Sequence, residues 1–292
     1  MDAIELEEKI ISLIKLAVLE LPPDVVRSLE TALKKETNIT AKNQLEAILE
    51  NIKLAKTHSI PICQDTGIQI FFVNVGTNFP LIGQLSSIIR DSVKKATPII
   101  PLRPNTVNPL TNENPGDNNG LSIPWINWRI NEGDNLEITV FPKGGGSENM
   151  SQLSMLTPGQ GINGMKRFVV DTVIEAGAKP CPPTIIGVGL GGGADISMKI
   201  AKEQLLRPLG QRHTDQKIAE IELELLEALN QTGIGPMGLG GNTTVLDVHI
   251  GTTMRHPASF PVGLVIQCWA ARRASATITK DGNMIITSHE VN

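Results

Sequence analysis

The sequence has 292 residues, of which 40% are hydrophobic, so the chain is long enough to enclose a sizeable core. Its formal net charge of -4 and its aromatic content of 3% argue against a nucleic-acid partner. No apolar run approaches the roughly 18 residues of a membrane span, and the first residues are acidic, unlike a secretory signal. We therefore predict a cytoplasmic protein that does not contact membranes.

The first 58 residues predict a helical region. Apolar side chains recur at helical spacing over residues 3 to 21, and Pro22-Pro23 end this helix. A second helix is predicted from Asp24 to about Glu36. A third is predicted from Thr40, whose hydroxyl can cap it, to about Ala55.

Short strands and helices alternate after residue 61, which favours an α/β (mixed α+β) fold with small mixed sheets flanked by helices. Asp281-Gly282 predicts a hairpin between the last two strands. No repeat and no low-complexity linker is present, so we predict a single domain over residues 1–292. The predicted strands are 68–75, 136–141, 184–189, 262–268, 274–279 and 284–288, and the later predicted helices are 82–95, 164–176, 196–206 and 215–229.

Three glycine-rich segments could carry binding chemistry. Gly187–Gly192 matches G-x-G-x-x-G between a strand and a helix, but the next predicted element is another helix where a dinucleotide fold needs a second parallel strand. The second match, Gly233–Gly238, has no predicted strand before it. We therefore expect close backbone approach or a small-anion cradle rather than NAD binding. The third segment, Lys143–Asn149, is either a flexible loop or a carboxylate-binding nest.

Polar residues are concentrated at Pro61–Gly67, where Cys63 and Asp65 stand just before a predicted buried strand. A buried cysteine beside an ordinary turn would give the same pattern. Arg103 lies between two prolines, a setting suited to bidentate binding of a carboxylate. Among the five histidines, His256 has the most site-like surroundings, in Arg255-His256-Pro257.

The three cysteines, Cys63, Cys181 and Cys268, are 118 and 87 residues apart. Their odd number and wide spacing do not indicate a disulfide framework or a structural zinc site. Three thiolates from distant loops could bind one iron-sulfur cluster and leave one iron without a protein ligand. Such an open metal position can act as a Lewis acid on a substrate oxygen.

Five segments in this order resemble the class I fumarate hydratase family, and more narrowly its separate alpha subunit, which includes the tartrate dehydratase alpha subunit. The segments are Cys63–Gly67, Lys143–Asn149, Gly187–Asp195, Gly235–Asn242, and Arg255-His256-Pro257-Ala258 with Cys268.

This resemblance implies a 4Fe-4S cluster held by the three cysteines and reversible hydration of fumarate to (S)-malate, a reaction of the tricarboxylic acid cycle. It implies that Asp65 is the catalytic acid with His256 beside it. It also implies that Gln64, Arg103 and the backbone of Gly145 bind the substrate carboxylates.

In fused members of the family, a further C-terminal region supplies the proposed base, a threonine, and additional Arg and Lys ligands. The present sequence ends at Asn292 without that region, so the resemblance implies a separate beta subunit, in a heterotetramer of two alpha and two beta chains. L-tartrate is the alternative substrate, and a non-catalytic structural subunit with buried cysteines is the alternative of another class.

Overall fold

The computed structural model describes residues 1–289 and confirms the mixed α/β class. Its contacts divide the chain into two compact units. The first unit contains Met1–Pro23, Asn51–Gly145 and the chain from Arg272 onward, and the second contains Asp24–Glu50 and Gly146–Ala271. The single domain over residues 1–292 stays a prediction.

The helices and strands follow in chain order. The helices are α1 (Ala3–Leu19), α2 (Pro23–Lys35), α3 (Ile39–His58), α4 (Leu85–Ile99), α5 (Gly145–Glu148), α6 (Gly161–Ala176), α7 (Ala194–Gln204) and α8 (Gln216–Gln231). The strands are β1 (Ile68–Gly76), β2 (Trp125–Asn131), β3 (Leu136–Lys143), β4 (Gln152–Leu156), β5 (Thr184–Gly192), β6 (Val245–Arg255), β7 (Phe260–Gln267), β8 (Ala274–Ile278) and β9 (Met284–Ile286).

The sheet of the first unit has the order β2-β1-β3-β8-β9. Strand β1 pairs in parallel with β2 and antiparallel with β3. Alternate side chains of β1, such as Phe71 and Val73, are buried in a core with α1 and α4. The antiparallel β8–β9 hairpin confirms the turn predicted at Asp281-Gly282.

The sheet of the second unit has the order β4-β7-β5-β6, with β5 and β6 parallel. Side chains of β5 alternate between the two faces of this sheet. Ile186 and Val188 belong to the core that includes α6 and α8 residues. Gly187 and Gly189 face α7, which therefore packs directly on the strand backbone.

The helical N-terminal region and all six predicted strands are confirmed, whereas β2, β4 and β6 were not predicted. The cap predicted at Thr40 was wrong, because the side chain of Asn38 accepts the Thr40 and Ala41 N–H groups at 2.9 and 3.2 Å. The element after α7 is the helix α8, as predicted, and the strand that follows α8, β6, pairs in parallel with β5.

A buried ionic cluster explains why β6 was not predicted. Asp247 and His249 interrupt the apolar pattern of this strand, yet they are only 2% and 0% exposed. Asp247 forms an ion pair with Arg212 and lies 3.2 Å from the His249 Nε2 atom. Glu222 of α8 pairs with Arg207 and accepts the Ile250 N–H of β6. The cluster thus satisfies these buried polar groups and fixes the α7–α8 connection to β6.

We predict that Asp247 makes the stability of the protein depend on acidic pH. Burial raises the pKa of Asp247, but hydrogen bonds from His249, Arg212 and Gly210 outweigh burial and lower this pKa from 3.8 to about 2. Because the folded-state pKa is lower, the stabilisation is complete above the unfolded value and is lost as the pH falls from about 4 to about 2. It amounts to about 2 kcal/mol.

Urea denaturation across this pH range, for the wild type and Asp247→Asn, measures the effect. We expect the variant to be less stable near neutral pH and the difference to shrink as the pH falls. A difference that stays constant down to about pH 2 would show that the Asp247 charge does not stabilise the fold.

We also predict that Gly189→Ala is strongly destabilising. An added Cβ would lie 2.0 Å from the Ser197 carbonyl oxygen and 2.7 Å from the Ala201 nitrogen, both backbone atoms of α7. Separating α7 from β5 should lower the free energy of unfolding by about 3 kcal/mol. Gly83→Ala is the control, because an added Cβ there meets nothing within 4 Å. Equal denaturant midpoints for the two variants would contradict this account of the glycines in β5.

Candidate active site

The predicted site segment Pro61–Gly67 connects α3 to β1 in the first unit. The β1–β3 register places Ile68 opposite Lys143, so this segment lies beside the start of the third glycine-rich segment. Gly67 has a φ of 75°, and an added Cβ would lie 2.8 Å from the Lys143 backbone. Only glycine allows this approach without strain, which accounts for the glycine after Thr66.

The Asp65 carboxylate is held by three donors. Its Oδ1 atom accepts the Gly67 N–H at 2.9 Å and the Asn105 Nδ2 group at 3.3 Å. Its Oδ2 atom accepts the Gly145 N–H at 2.8 Å. Within the segment predicted as a carboxylate-binding nest, the Gly145 N–H therefore binds a carboxylate of the chain itself. Because each carboxylate oxygen has two lone pairs, Oδ2 keeps one that no described residue uses.

The segment around Arg103 is tied to the same place. The Thr66 hydroxyl accepts the Arg103 N–H at 3.0 Å, and Asn105 contacts Thr66 and Gly67 as well as Asp65. The side chains of Arg103 and Gln64 are exposed, as is Gly145. The first unit thus brings together Gln64, Asp65, Arg103 and Gly145 from three distant stretches of sequence.

Two of the three cysteines lie together in the second unit. Cys181 precedes β5 and Cys268 follows β7, and these strand ends are neighbours because β5 and β7 are antiparallel. The Trp269 N–H donates to the Cys181 carbonyl oxygen at 3.3 Å. Both cysteines are partly exposed and form no disulfide, and the same holds for Cys63 of the first unit.

The backbone at Cys181 has a φ of 55°. This left-handed conformation costs an ordinary residue on the order of 1–2 kcal/mol, and glycine would adopt it without that cost. Strain of this kind is concentrated at functional sites. The turn geometry alone would favour glycine, so a function of the thiol explains the cysteine at this position better.

His256 lies in the turn between β6 and β7, at the opposite end of β7 from Cys268. The eight residues of β7 separate the two by about 26 Å at roughly 3.3 Å per residue. The His256 Nδ1 atom accepts the Ala258 N–H at 3.1 Å, so the neutral ring carries its proton on Nε2. The structure does not bring His256 and Cys268 of one chain together.

The first two glycine-rich segments have structural explanations. In the first, Gly187 and Gly189 allow close packing of α7, as described above. In the second, an added Cβ at Gly235 would lie 2.0 Å from the Gly240 carbonyl oxygen, so the loop folds tightly on itself. The Met237 N–H donates to the Pro182 carbonyl oxygen at 2.7 Å, which places this loop beside Cys181.

Nearly the whole sequence matches one known protein family. The model of the family described as fumarate hydratase (fumerase) matches residues 7–277. The chain belongs to the fumarate hydratase family. This confirms the resemblance read from the motifs and the prediction of a hydro-lyase.

Curated relatives in this family cover nearly the whole chain. A putative L(+)-tartrate dehydratase subunit alpha from Methanocaldococcus jannaschii is 49% identical over 284 residues, which are 96% of this chain and 100% of that protein. The L(+)-tartrate dehydratase subunit alpha of Escherichia coli strain K12 is 38% identical over 270 residues, covering 92% of this chain and 89% of that protein. The subunit of the same name from Shigella sonnei shows the same identity and coverage.

The surroundings of the three cysteines bear on whether they could hold a cluster. Partly exposed thiols are chemically suited to iron, and the Trp269 N–H joins the Cys268 loop to Cys181. Within residues 1–289, no group of three or more His, Cys, Asp or Glu side chains is placed to hold a metal ion. Cys181 and the Cys268 loop are thus neighbours in the second unit, and Cys63 belongs to the first. No helix in the same range is long and apolar enough to cross a bilayer.

Proposed function

We propose that this chain is the alpha subunit of an iron-sulfur hydro-lyase that adds water to fumarate to give (S)-malate, and removes it in the reverse direction. The match of the fumarate hydratase family model over residues 7–277 carries this proposal. The name "subunit alpha" of the relatives supports a separate beta subunit. We propose the cytoplasm as its location and a heterotetramer of two alpha and two beta chains.

Cys63, Cys181 and Cys268 would hold the 4Fe-4S cluster. The pairing of Cys181 with the Cys268 loop and the left-handed backbone at Cys181 support this assignment. When bound, a cluster with one iron free of protein ligands supplies Lewis-acid chemistry to a substrate oxygen.

Asp65 is the group of this chain that we assign to proton transfer. Three hydrogen bonds fix its carboxylate, and the unused lone pair of Oδ2 is the position for a proton exchanged with the substrate hydroxyl. His256 is the second predicted catalytic residue. Because β7 separates His256 from Cys268, we assign the proton transfer to Asp65, which follows Cys63 closely in the sequence, rather than to His256 of the same chain.

The exposed groups beside Asp65 are suited to a dicarboxylate. Arg103 can donate two parallel hydrogen bonds to a carboxylate, and the exposed Gln64 amide adds another donor. The Gly145 N–H lies at the same place but donates to Asp65. A substrate carboxylate that binds Gly145 would therefore share this N–H with Asp65 or replace Asp65 as its acceptor.

L(+)-tartrate is the second candidate substrate, favoured by the names of the relatives. Loss of water from tartrate gives oxaloacetate, so the same groups could perform the reaction. The two substrates differ by one hydroxyl, and a site built to hydrogen-bond that hydroxyl would discriminate between them strongly.

The test is to co-express the chain with its beta subunit without oxygen and to measure kcat/KM for fumarate, (S)-malate and L-tartrate. We expect a brown complex that turns over fumarate and loses activity in air, whereas the isolated chain turns over none of the three compounds. A complex that acts on tartrate but not fumarate would reassign the substrate. A colourless complex without iron and without activity would instead support a structural subunit.

A further inference from the structure

Arg272 is a buried guanidinium with unused hydrogen-bonding capacity. Its side chain is 1% exposed, and its Nε and Nη1 groups have no hydrogen-bond partner among residues 1–289. A buried charge without a partner is strongly unfavourable, and buried arginines are normally paired with an anion. The neighbouring Arg273 is also buried but has a partner. The lack of a partner is therefore specific to Arg272 within this pair.

The guanidinium of Arg272 lies close to the Asp65 cradle, which we define as Asp65, Gly144 and Gly145. The Arg272 Nη2 and Asp65 Oδ2 atoms lie 3.7 and 2.9 Å from the same point, the position of a Cβ at Gly144. Asp65 nevertheless bonds to Gly67, Asn105 and Gly145, and no ion pair or hydrogen bond joins it to Arg272 in the described part of the chain. The positive charge thus remains uncompensated by direct contact.

We propose that Arg272 is a specificity-determining residue that supplies the positive charge for a substrate carboxylate bound at the Asp65 cradle. Gln64 and Arg103, the other predicted carboxylate-binding residues, are exposed to solvent. Arg272 acts from the buried side, where the low effective dielectric strengthens a charge interaction over several ångströms without direct contact. This inference rests on the proposed function, because it takes the substrate to be a dicarboxylate.

Arg272→Met and Arg272→Lys test this proposal in the co-expressed alpha-beta complex. Methionine removes the charge and leaves no unsatisfied polar group, while lysine keeps the charge. With succinate as a non-reacting dicarboxylate, we expect Arg272→Met to raise Kd about tenfold or more and Arg272→Lys to stay within about threefold of the wild type. KM for fumarate should rise more than kcat falls.

Thermal unfolding gives a readout that is independent of activity. We expect Arg272→Met to leave the Tm of the ligand-free complex unchanged or higher, because it removes an unpaired buried charge, and to reduce the Tm gain caused by succinate. Arg273→Met is the matched control. It should lower Tm, because it deprives a partner group, and should not change the succinate Kd.

Three results would overturn the proposal. The first is an unchanged succinate Kd in Arg272→Met, and the second is a Tm loss in Arg272→Met equal to that of Arg273→Met without weaker succinate binding. The third is a loss of iron from Arg272→Met with normal succinate binding. The last result would assign Arg272 to the cluster. If the wild-type complex binds succinate through Arg272 but turns over neither fumarate nor tartrate, only the proposed reaction fails. If it is active and Arg272→Met binds succinate normally, only this inference fails.

Discussion

Asp65→Asn is expected to lower kcat of the alpha-beta complex by roughly 10²–10⁴-fold, the usual contribution of a positioned acid or base. Asparagine has nearly the same shape as aspartate but cannot exchange a proton at the position of Oδ2. Its single carbonyl oxygen can accept either from Gly67 and Asn105 or from Gly145, whereas the carboxylate accepts from both sides. We therefore also expect a stability loss of about 1–2 kcal/mol for the N–H left unpaired.

Asp134→Asn is the matched control, because Asp134 is an aspartate of the same unit that pairs at the surface with Lys280 at 2.8 Å. This variant should retain full activity. Initial rates with fumarate and (S)-malate, together with iron content and urea denaturation, separate a chemical effect from a folding effect. If Asp65→Asn has normal iron content and activity within about tenfold of the wild type, Asp65 is not the group that transfers the proton.

The parts of the fold that were predictable have local signals. The amphipathic α1 and the apolar β1 are each determined mainly by their own residues, and Asp281-Gly282 contains its turn signal within two residues. Strand β6 was not predictable in this way. Its buried Asp247 and His249 are compatible with a strand only because Arg212 and the α7–α8 connection satisfy them.

The residues of the candidate site also differ in whether the local sequence identifies them. The motif at Cys63–Gly67 and the arginine at Arg103 were identified from residue type and neighbours. Asn105 and Arg272 were not identified, because their relation to Asp65 depends on the β1–β3 register and on the position of Gly144. The dense polar composition around Asp65 was the one signal that could have directed attention to Asn105. Nothing in the local sequence distinguishes Arg272 from Arg273.

The glycine-rich segments show why a motif needs its structural context. Gly187–Gly192 matches a dinucleotide pattern, and β5 and β6 are indeed parallel neighbours. Yet Gly187 and Gly189 are already required for contact with Ala201 and Ser197 of α7. Glycines that allow helix packing produce the same spacing as glycines that approach a pyrophosphate. The pattern alone therefore does not distinguish the two.

Cys181→Gly is expected to abolish cluster binding and activity without destabilising the ligand-free chain. The φ of 55° at Cys181 is unfavourable for cysteine and favourable for glycine. Glycine should therefore leave the free energy of unfolding unchanged or raise it by up to about 1 kcal/mol, after allowance for its greater freedom in the unfolded chain. Losing the thiol should abolish the visible absorbance of the anaerobically purified complex and its hydratase activity.

Ser122→Gly controls for the backbone effect, since Ser122 has a similar φ of 61° but is not part of the candidate site. It should change stability in the same direction and retain both iron and activity. Cys268→Ser should lose iron as Cys181→Gly does, because the Cys268 loop and Cys181 are joined by the Trp269 N–H. If Cys181→Gly kept normal iron and activity, the strained backbone at Cys181 would need another cause. If it lost stability as well as iron, the thiol would contribute to folding, and cluster binding would no longer explain why cysteine is present in a left-handed turn.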